Sequence, residues 1–280
     1  MKRVKNIVAL VCLVGLVLGS VTVADATTKA KAKSNKINKE VNLTVEVGEK
    51  ITIKGIKKAP DVKGLTVSCE NNELTVKGKK EGVKSFTYKN TKYNIVTLNK
   101  VKGLKFDESK AYKKKGVYYV VRDFGSDSII TVLNTNKSDK DVTFYRKEYR
   151  SKNDLFETRQ QMVNALGQNE SFSFFTYSSM PTHKDSIKVS NSRQKSLKKN
   201  SVKLSSCKIE GTNGKYTVTN KSKEDVIYVD ALVLKFDKDN HMVATDYMVS
   251  QRVEDTANWY THNYTDDITD MEIVSYHVYY

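Results

Sequence analysis

Asn136-Lys137-Ser138-Asp139-Lys140-Asp141-Val142 returns 84 residues later (220 − 136) as Asn220-Lys221-Ser222-Lys223-Glu224-Asp225-Val226. Apolar alternation precedes each copy, with Ile130 and Val132 before the first and Tyr216 and Val218 before the second. Aromatic runs follow, Phe172-Ser173-Phe174-Phe175-Thr176-Tyr177 and Trp259-Tyr260-Thr261-His262-Asn263-Tyr264. A repeat of this length is a supersecondary unit copied whole, so the chain is modular. Period-2 alternation within each copy makes the unit a β-structure, and Asn at the turn suits αL or Asx geometry. Leu155, Arg159, Met162, Val163 and Leu166 fall near helical spacing, which also fits a helix over 154–166. The matching stretch of the second copy, Met242 to Val253, alternates, and the repeat favours strand in both.

Working toward the N-terminus, a second alternating region covers 41–98. Val41, Leu43, Val45 and Val47 lead into Gly48-Glu49, then Ile51 and Ile53, then Leu65, Val67 and Cys69. Leu74 and Val76 follow Asn71-Asn72, and Phe86, Tyr88, Tyr93 and Ile95 complete the set. Short alternating runs between Gly, Asn and Lys turns read as half-buried antiparallel strands. The first 26 residues read as a secretory signal: Lys2, Arg3 and Lys5, an apolar run from Ile7 to Leu18, and Ala24-Asp25-Ala26 at the cleavage position. The fold expected is all-β, with three small antiparallel β-sandwich modules in tandem after a signal peptide.

The expected layout is a signal at 1–26, a basic disordered tether at 27–40 and a first sandwich at 41–98. A basic connector at 99–116, a sandwich at 117–189, a basic linker at 190–203 and a sandwich at 204–280 complete it. Charge is divided along this layout. Residues 204–280 hold seven basic and 13 acidic side chains, net −6, so residues 27–203 carry +20 once the signal is set aside. Beyond the signal only Cys69 and Cys207 remain. They pair across modules or stay as two free thiols, and a dense disulfide framework is excluded.

Two family resemblances follow from these residues. Val47-Gly48-Glu49-Lys50-Ile51-Thr52-Ile53, Val67-Ser68-Cys69-Glu70-Asn71-Asn72-Glu73-Leu74-Thr75-Val76 and Glu81 to Tyr88 resemble, in order, the motifs of bacterial Ig-like modules of the group-2 kind. Leu234-Lys235-Phe236-Asp237-Lys238-Asp239-Asn240-His241-Met242-Val243 resembles the FxLYD-type extracellular β-sandwich of Gram-positive bacteria, with Asn240 where that family has Gly. The first copy departs further, at Tyr149 to Phe156. The resemblance implies secreted accessory domains with no activity attached.

Reactive chemistry has no motif here. His183, His241, His262 and His277 are isolated from one another and from the cysteines in sequence. There is no nucleophile elbow, phosphate loop or His-Glu-x-x-His, so the chain is read as non-enzymatic, with no catalytic residues, cofactor or metal. Asp237, Asp239 and Asn240 lack the Gly and closing Glu of an EF-hand and read as a hairpin turn; Asp266, Asp267 and Asp270 read as a solvated loop.

The functional signal is basic. Lys29, Lys31, Lys33, Lys36 and Lys39, then Lys113, Lys114 and Lys115, then Arg193, Lys195, Lys198 and Lys199 lie in expected linkers. Diffuse lysine charge attracts a polyanion and does not read bases, so the partner expected is an anionic cell-wall polymer or another envelope component. Sequence-specific nucleic-acid binding is not expected, nor is a membrane span after processing. The rival is an adhesin that stacks Tyr118, Tyr119, Trp259, Tyr260 and Tyr279 on sugars or a protein partner. Both place the protein outside the cell, secreted or wall-associated.

Overall fold

Alternation in the front region becomes six strands in a computed structural model of the chain, which describes residues 37–206, 213–262 and 268–280. They are β1 (Lys39–Glu46), β2 (Lys50–Lys54), β3 (Leu65–Glu70), β4 (Glu73–Gly78), β5 (Gly82–Tyr88) and β6 (Thr91–Leu98). Sheet β1-β6-β5 faces sheet β2-β4-β3, and Val45, Leu74, Val76, Phe86 and Ile95 fill the space between them. The antiparallel expectation fails at one pair: β1 and β6 run parallel over eight residues, from Lys39↔Thr91 to Glu46↔Leu98. As first and last strands of the sandwich, they are joined through the other sheet, so no hairpin forces them antiparallel.

The repeats follow as β7 (Glu108–Lys114), β8 (Val117–Phe124), β9 (Asp127–Asn134), β10 (Lys140–Ser151), β11 (Asp154–Leu166), β12 (Ser171–Tyr177) and β13 (Thr182–Asn191). The second set is β14 (Val202–Ser206), β15 (Asn213–Asn220), β16 (Ile227–Phe236), β17 (Met242–Val253), β18 (Thr256–His262) and β19 (Asp270–Tyr279). Residues 154–166 are strand. The first repeat has sheets β12-β9-β8-β7 and β11-β10-β13; the second has β14-β15-β18 and β17-β16-β19. Setting aside the extra edge strand β7, the two pairings are the same.

Hydrogen bonds correct the repeat offset. Asn134 Nδ2 donates to Ser138 O at 3.0 Å, and its Oδ1 accepts from Asn136 N at 2.9 Å. Asn220 repeats this with Glu224 O at 2.8 Å and Ser222 N at 2.9 Å. The equivalent of Asn220 is therefore Asn134, 86 residues away (220 − 134), rather than Asn136. A bulge is copied as well. Ala165 in β11 and Ser250 in β17 have φ of 51° and 48°, and their N–H groups donate to Asp141 Oδ1 and Asp230 Oδ1. An aspartate on the neighbouring strand thus caps each left-handed residue.

The modules do not hang as beads. Along β8, Val117 and Val121 face the core of their own sandwich, while Tyr118 and Val120 pack on Val96 and Leu98 of β6. Along β16, Ile227, Val229 and Ala231 face inward, while Leu232, Leu234 and Phe236 pack on Ile129 of β9. Strands β8, β9 and β12 are therefore buried on both faces, which explains why β8 and β9 read as near-continuous apolar runs, whereas the edge strand β7 is mostly exposed. Tyr247 seals the second junction. Its hydroxyl donates to Phe175 O at 2.7 Å and accepts from Phe175 N and, at 3.1 Å, from Gln161 Nε2. Burial raises that phenol far above its ordinary range.

Two expected linkers are structural elements. Within residues 99–116, Val101, Leu104 and Phe106 join the apolar cluster between the repeats, and 108–114 form β7. Arg122, 2% exposed, donates to Glu46 Oε1 (3.2 Å), Asn99 O (3.1 Å) and Thr131 Oγ1 (3.1 Å), tying three segments together. A count of lysines does not register that three apolar residues spaced along a connector bury together. Residues 190–203 are likewise fixed, as described next.

Candidate functional site

Between β13 and β14 the chain runs along the end of β19. Lys195 N and O pair with Tyr280 O and N at 3.1 and 3.0 Å, and Leu197 N donates to Val278 O at 2.8 Å. Ser196 turns inward: its N–H reaches Asp139 Oδ2 at 3.0 Å and its hydroxyl reaches Glu170 Oε2 at 2.6 Å. With Ser196 and Leu197 anchored, Arg193, Lys195, Lys198 and Lys199 are left exposed. Lys199 Nζ lies 4.6 Å from the centre of the Tyr276 ring.

The repeat turns extend this row. Ser192 N donates to Asp139 O at 3.1 Å, bringing the turn with exposed Lys137 to one end. Lys221 N donates to Ser201 O at 2.8 Å, bringing exposed Lys221 to the other. The result is a seam of cations on an ordered backbone along the join between the two repeats. On its second-repeat side it meets Glu224, Asp225, Glu254 and Asp255, which surround a shallow hollow of about 530 Å³ with Lys223. Lys137 and Lys221 escape a linear reading, because only the fold brings the turns beside the linker.

The other basic groups fare differently. Lys29, Lys31, Lys33 and Lys36 lie outside the described residues, and Lys39 is exposed at the start of β1. Lys113, Lys114 and Lys115 do not form a free basic linker. Lys113 Nζ donates to Glu40 Oε1 at 2.7 Å, a bond that raises the lysine's pKa and, with Asn94, lowers that of Glu40. Lys114 Nζ donates to Ile187 O at 2.7 Å, and Lys115 takes φ 48° in the turn before Gly116. The triplet fastens an edge strand to its neighbours.

Aromatic side chains divide the same way. Tyr118 is 3% exposed and Tyr279 is 1% exposed, so neither presents a ring to a ligand. The alternation that should send one outward meets a second packed face instead. Tyr119 is half-buried and stacks on exposed Tyr112 with centroids 4.9 Å apart. Trp259 is half-buried and stacks on Tyr216 at 5.1 Å. Burial, with Asp246 and Asp270 nearby, pushes the Tyr216 phenol up to about 12. Tyr260 is exposed, with Lys215 Nζ 5.6 Å from its ring centre.

Asp237, Asp239 and His241 form a group of metal-ligating types among the described residues. Asp237 Oδ1 accepts from Asp239 N at 2.9 Å and His241 N at 2.8 Å, and Asn240 takes φ 61°, so the group is an Asx-stabilised hairpin turn. Asp270 pairs with Lys102, whereas Asp266 and Asp267 lie outside the described residues. Among the described residues Cys69 has no disulfide partner, and its Sγ lies 3.0 Å from Ile56 O. Cys207, and with it the question of pairing, lies outside the described residues.

No family model matches the chain. No curated protein matches it either. Among solved structures, 21 chains match, one being the crystal structure of the FN1-FN3 domains of chicken CNTN1. It is 10% identical over 74% of this chain and 74% of its own, with a TM-score of 0.18, too low to bear on fold or function. Among the described residues, no helix is long and apolar enough to cross a membrane.

Proposed function

We propose that this chain is a secreted or envelope-associated, non-catalytic interaction protein, held near an anionic cell-wall polymer by its lysine and arginine side chains. The observation that carries the reading is the cation seam, with Arg193, Lys195, Lys198 and Lys199 exposed on a backbone pinned to β19. A polymer with evenly spaced charges meets cations whose backbone need not be ordered on binding, and release of its counterions drives association. The Ala-x-Ala signal and the resemblance to extracellular sandwich modules support export.

The test is binding of the full mature chain to purified wall polymer across a salt series. Four phosphate-type contacts predict a loss on the order of 50-fold between 50 and 200 mM salt, from a slope of about −0.7 per contact. Replacing Arg193, Lys195, Lys198 and Lys199 together by Ser reduces that slope by roughly three. Binding that persists at high salt, and is lost instead on Tyr260→Ala, would move the reading to an aromatic adhesin. An unchanged slope in the four-site variant removes the seam from it.

A further inference from the structure

Between the two repeats lies a groove of about 260 Å³, flanked by β11 and β17. Each strand is the outer member of its three-stranded sheet, so one side of its backbone has no strand partner among the described residues. Met162, 48% exposed, and Val249, 66% exposed, line the groove, and Phe172 lines it from the core side. Its polar lining includes Asp230 and Ser250, joined by the bulge bond described above.

The charge on that lining is not balanced. Asp230 is 3% exposed and stands directly opposite His277 in the β16–β19 register. The imidazole is already engaged: its Nδ1 lies 3.2 Å from Glu170 Oε2. The imidazole thus pairs with Glu170 and acts on Asp230 only through its field, and among the described residues no lysine or arginine forms an ion pair with Asp230. Burial raises the Asp230 pKa against the opposing pull of Ser250 and His277, so the ionised carboxyl costs the fold stability until a cation meets it.

Open strand edges suit an extended peptide, whose main chain adds to them while its side chains enter pockets. A long basic side chain matches the rest, with an aliphatic stem for apolar walls and a charged head for a carboxylate. We propose that this groove binds an extended peptide through one basic side chain, its stem lying between Met162 and Val249 and its head meeting Asp230. The groove is anionic and the seam cationic, so loss of either kind of binding leaves the other intact.

The full mature chain is titrated with acetyl-Thr-Val-Lys-Val-Thr-amide and with its norleucine counterpart by isothermal calorimetry. The lysine peptide is expected to bind about tenfold or more tightly than the norleucine peptide. Asp230→Asn, whose amide oxygen still accepts the Ser250 N–H, erases that preference and leaves norleucine binding unchanged. Val249→Lys, at an exposed position, offers the chain's own ammonium to Asp230 and abolishes lysine-peptide binding; it keeps the test decisive should Asp230→Asn fail to fold. Equal binding of the two peptides, absence of binding, or a preference that survives in a folded variant overturns the proposal.

Discussion

Leu234→Ala separates a packed assembly from a string of beads. Leu234 is fully buried, but against Ile129 and Val101 rather than within its own sandwich. Were the repeats independent, this side chain would sit on an open sheet face, and truncation would change stability by no more than about 0.5 kcal/mol. Packed as it is, the substitution removes buried methyl groups and leaves a cavity, which costs about 2–5 kcal/mol. For a chain of this size each kcal/mol lowers Tm by about 2–4 °C, so a central loss of about 3 kcal/mol corresponds to about 6–12 °C. Val243→Ala is the control, on the edge strand β17 of the same sheet but 44% exposed. Calorimetric melting reads both. A Leu234→Ala shift no larger than the Val243→Ala shift would refute the reasoning, because the second buried face would then contribute nothing.

Further outcomes follow from individual contacts. Arg146, fully buried, holds Asp185 through two bonds of 2.9 and 2.8 Å, so Asp185→Ala strands a guanidinium and costs about 3–5 kcal/mol by urea denaturation. Tyr247→Phe leaves the Phe175 amide and carbonyl without that hydroxyl and costs about 1–3 kcal/mol by the same assay. Burial acts to raise the Glu170 pKa, but bonds from His277, Ser196 and Gly167 outweigh it and hold the value below 4.5. Its contribution is therefore present above about pH 4.5 and is lost as pH falls through the folded value; Glu170→Gln melts lower than wild type at pH 7 and converges with it in acid. Asp230 has the opposite sign, since its folded pKa lies above 3.8. Asp230→Asn melts higher than wild type at pH 7, and the gain shrinks as pH falls toward 3.8.

The period-2 alternation of 41–98 and the Asn-Lys-Ser turns were legible because they are local: side chains two apart share a face, and an Asx bond spans two to four residues. The β-assignment of 154–166 came from the second copy, since its own spacing also fits a helix. What the chain hides is every contact made across modules. Alternation says only that Tyr118 points away from Val117, not that Leu98 waits there. Composition reads Lys113 as solvated because it cannot show Glu40 across the join. Lys137 and Lys221 joined the candidate seam only through Asp139 and Ser201, which lie 53 and 20 residues away from Ser192 and Lys221 respectively (192 − 139 and 221 − 201). The identical Asn-Lys-Ser letters set the repeat offset two residues short, because the side chain that makes the first turn, Asn134, stands two residues before them.

Native-state hydrogen exchange across β6, β9 and β16 in increasing urea addresses the joined architecture most directly. With β9 covered on both sides, the slowest amides of all three strands should open with one common free energy and one common urea dependence. Separate plateaus, with β6 or β16 exchanging through an opening that leaves β9 protected, would mean that the sandwiches fold and unfold on their own.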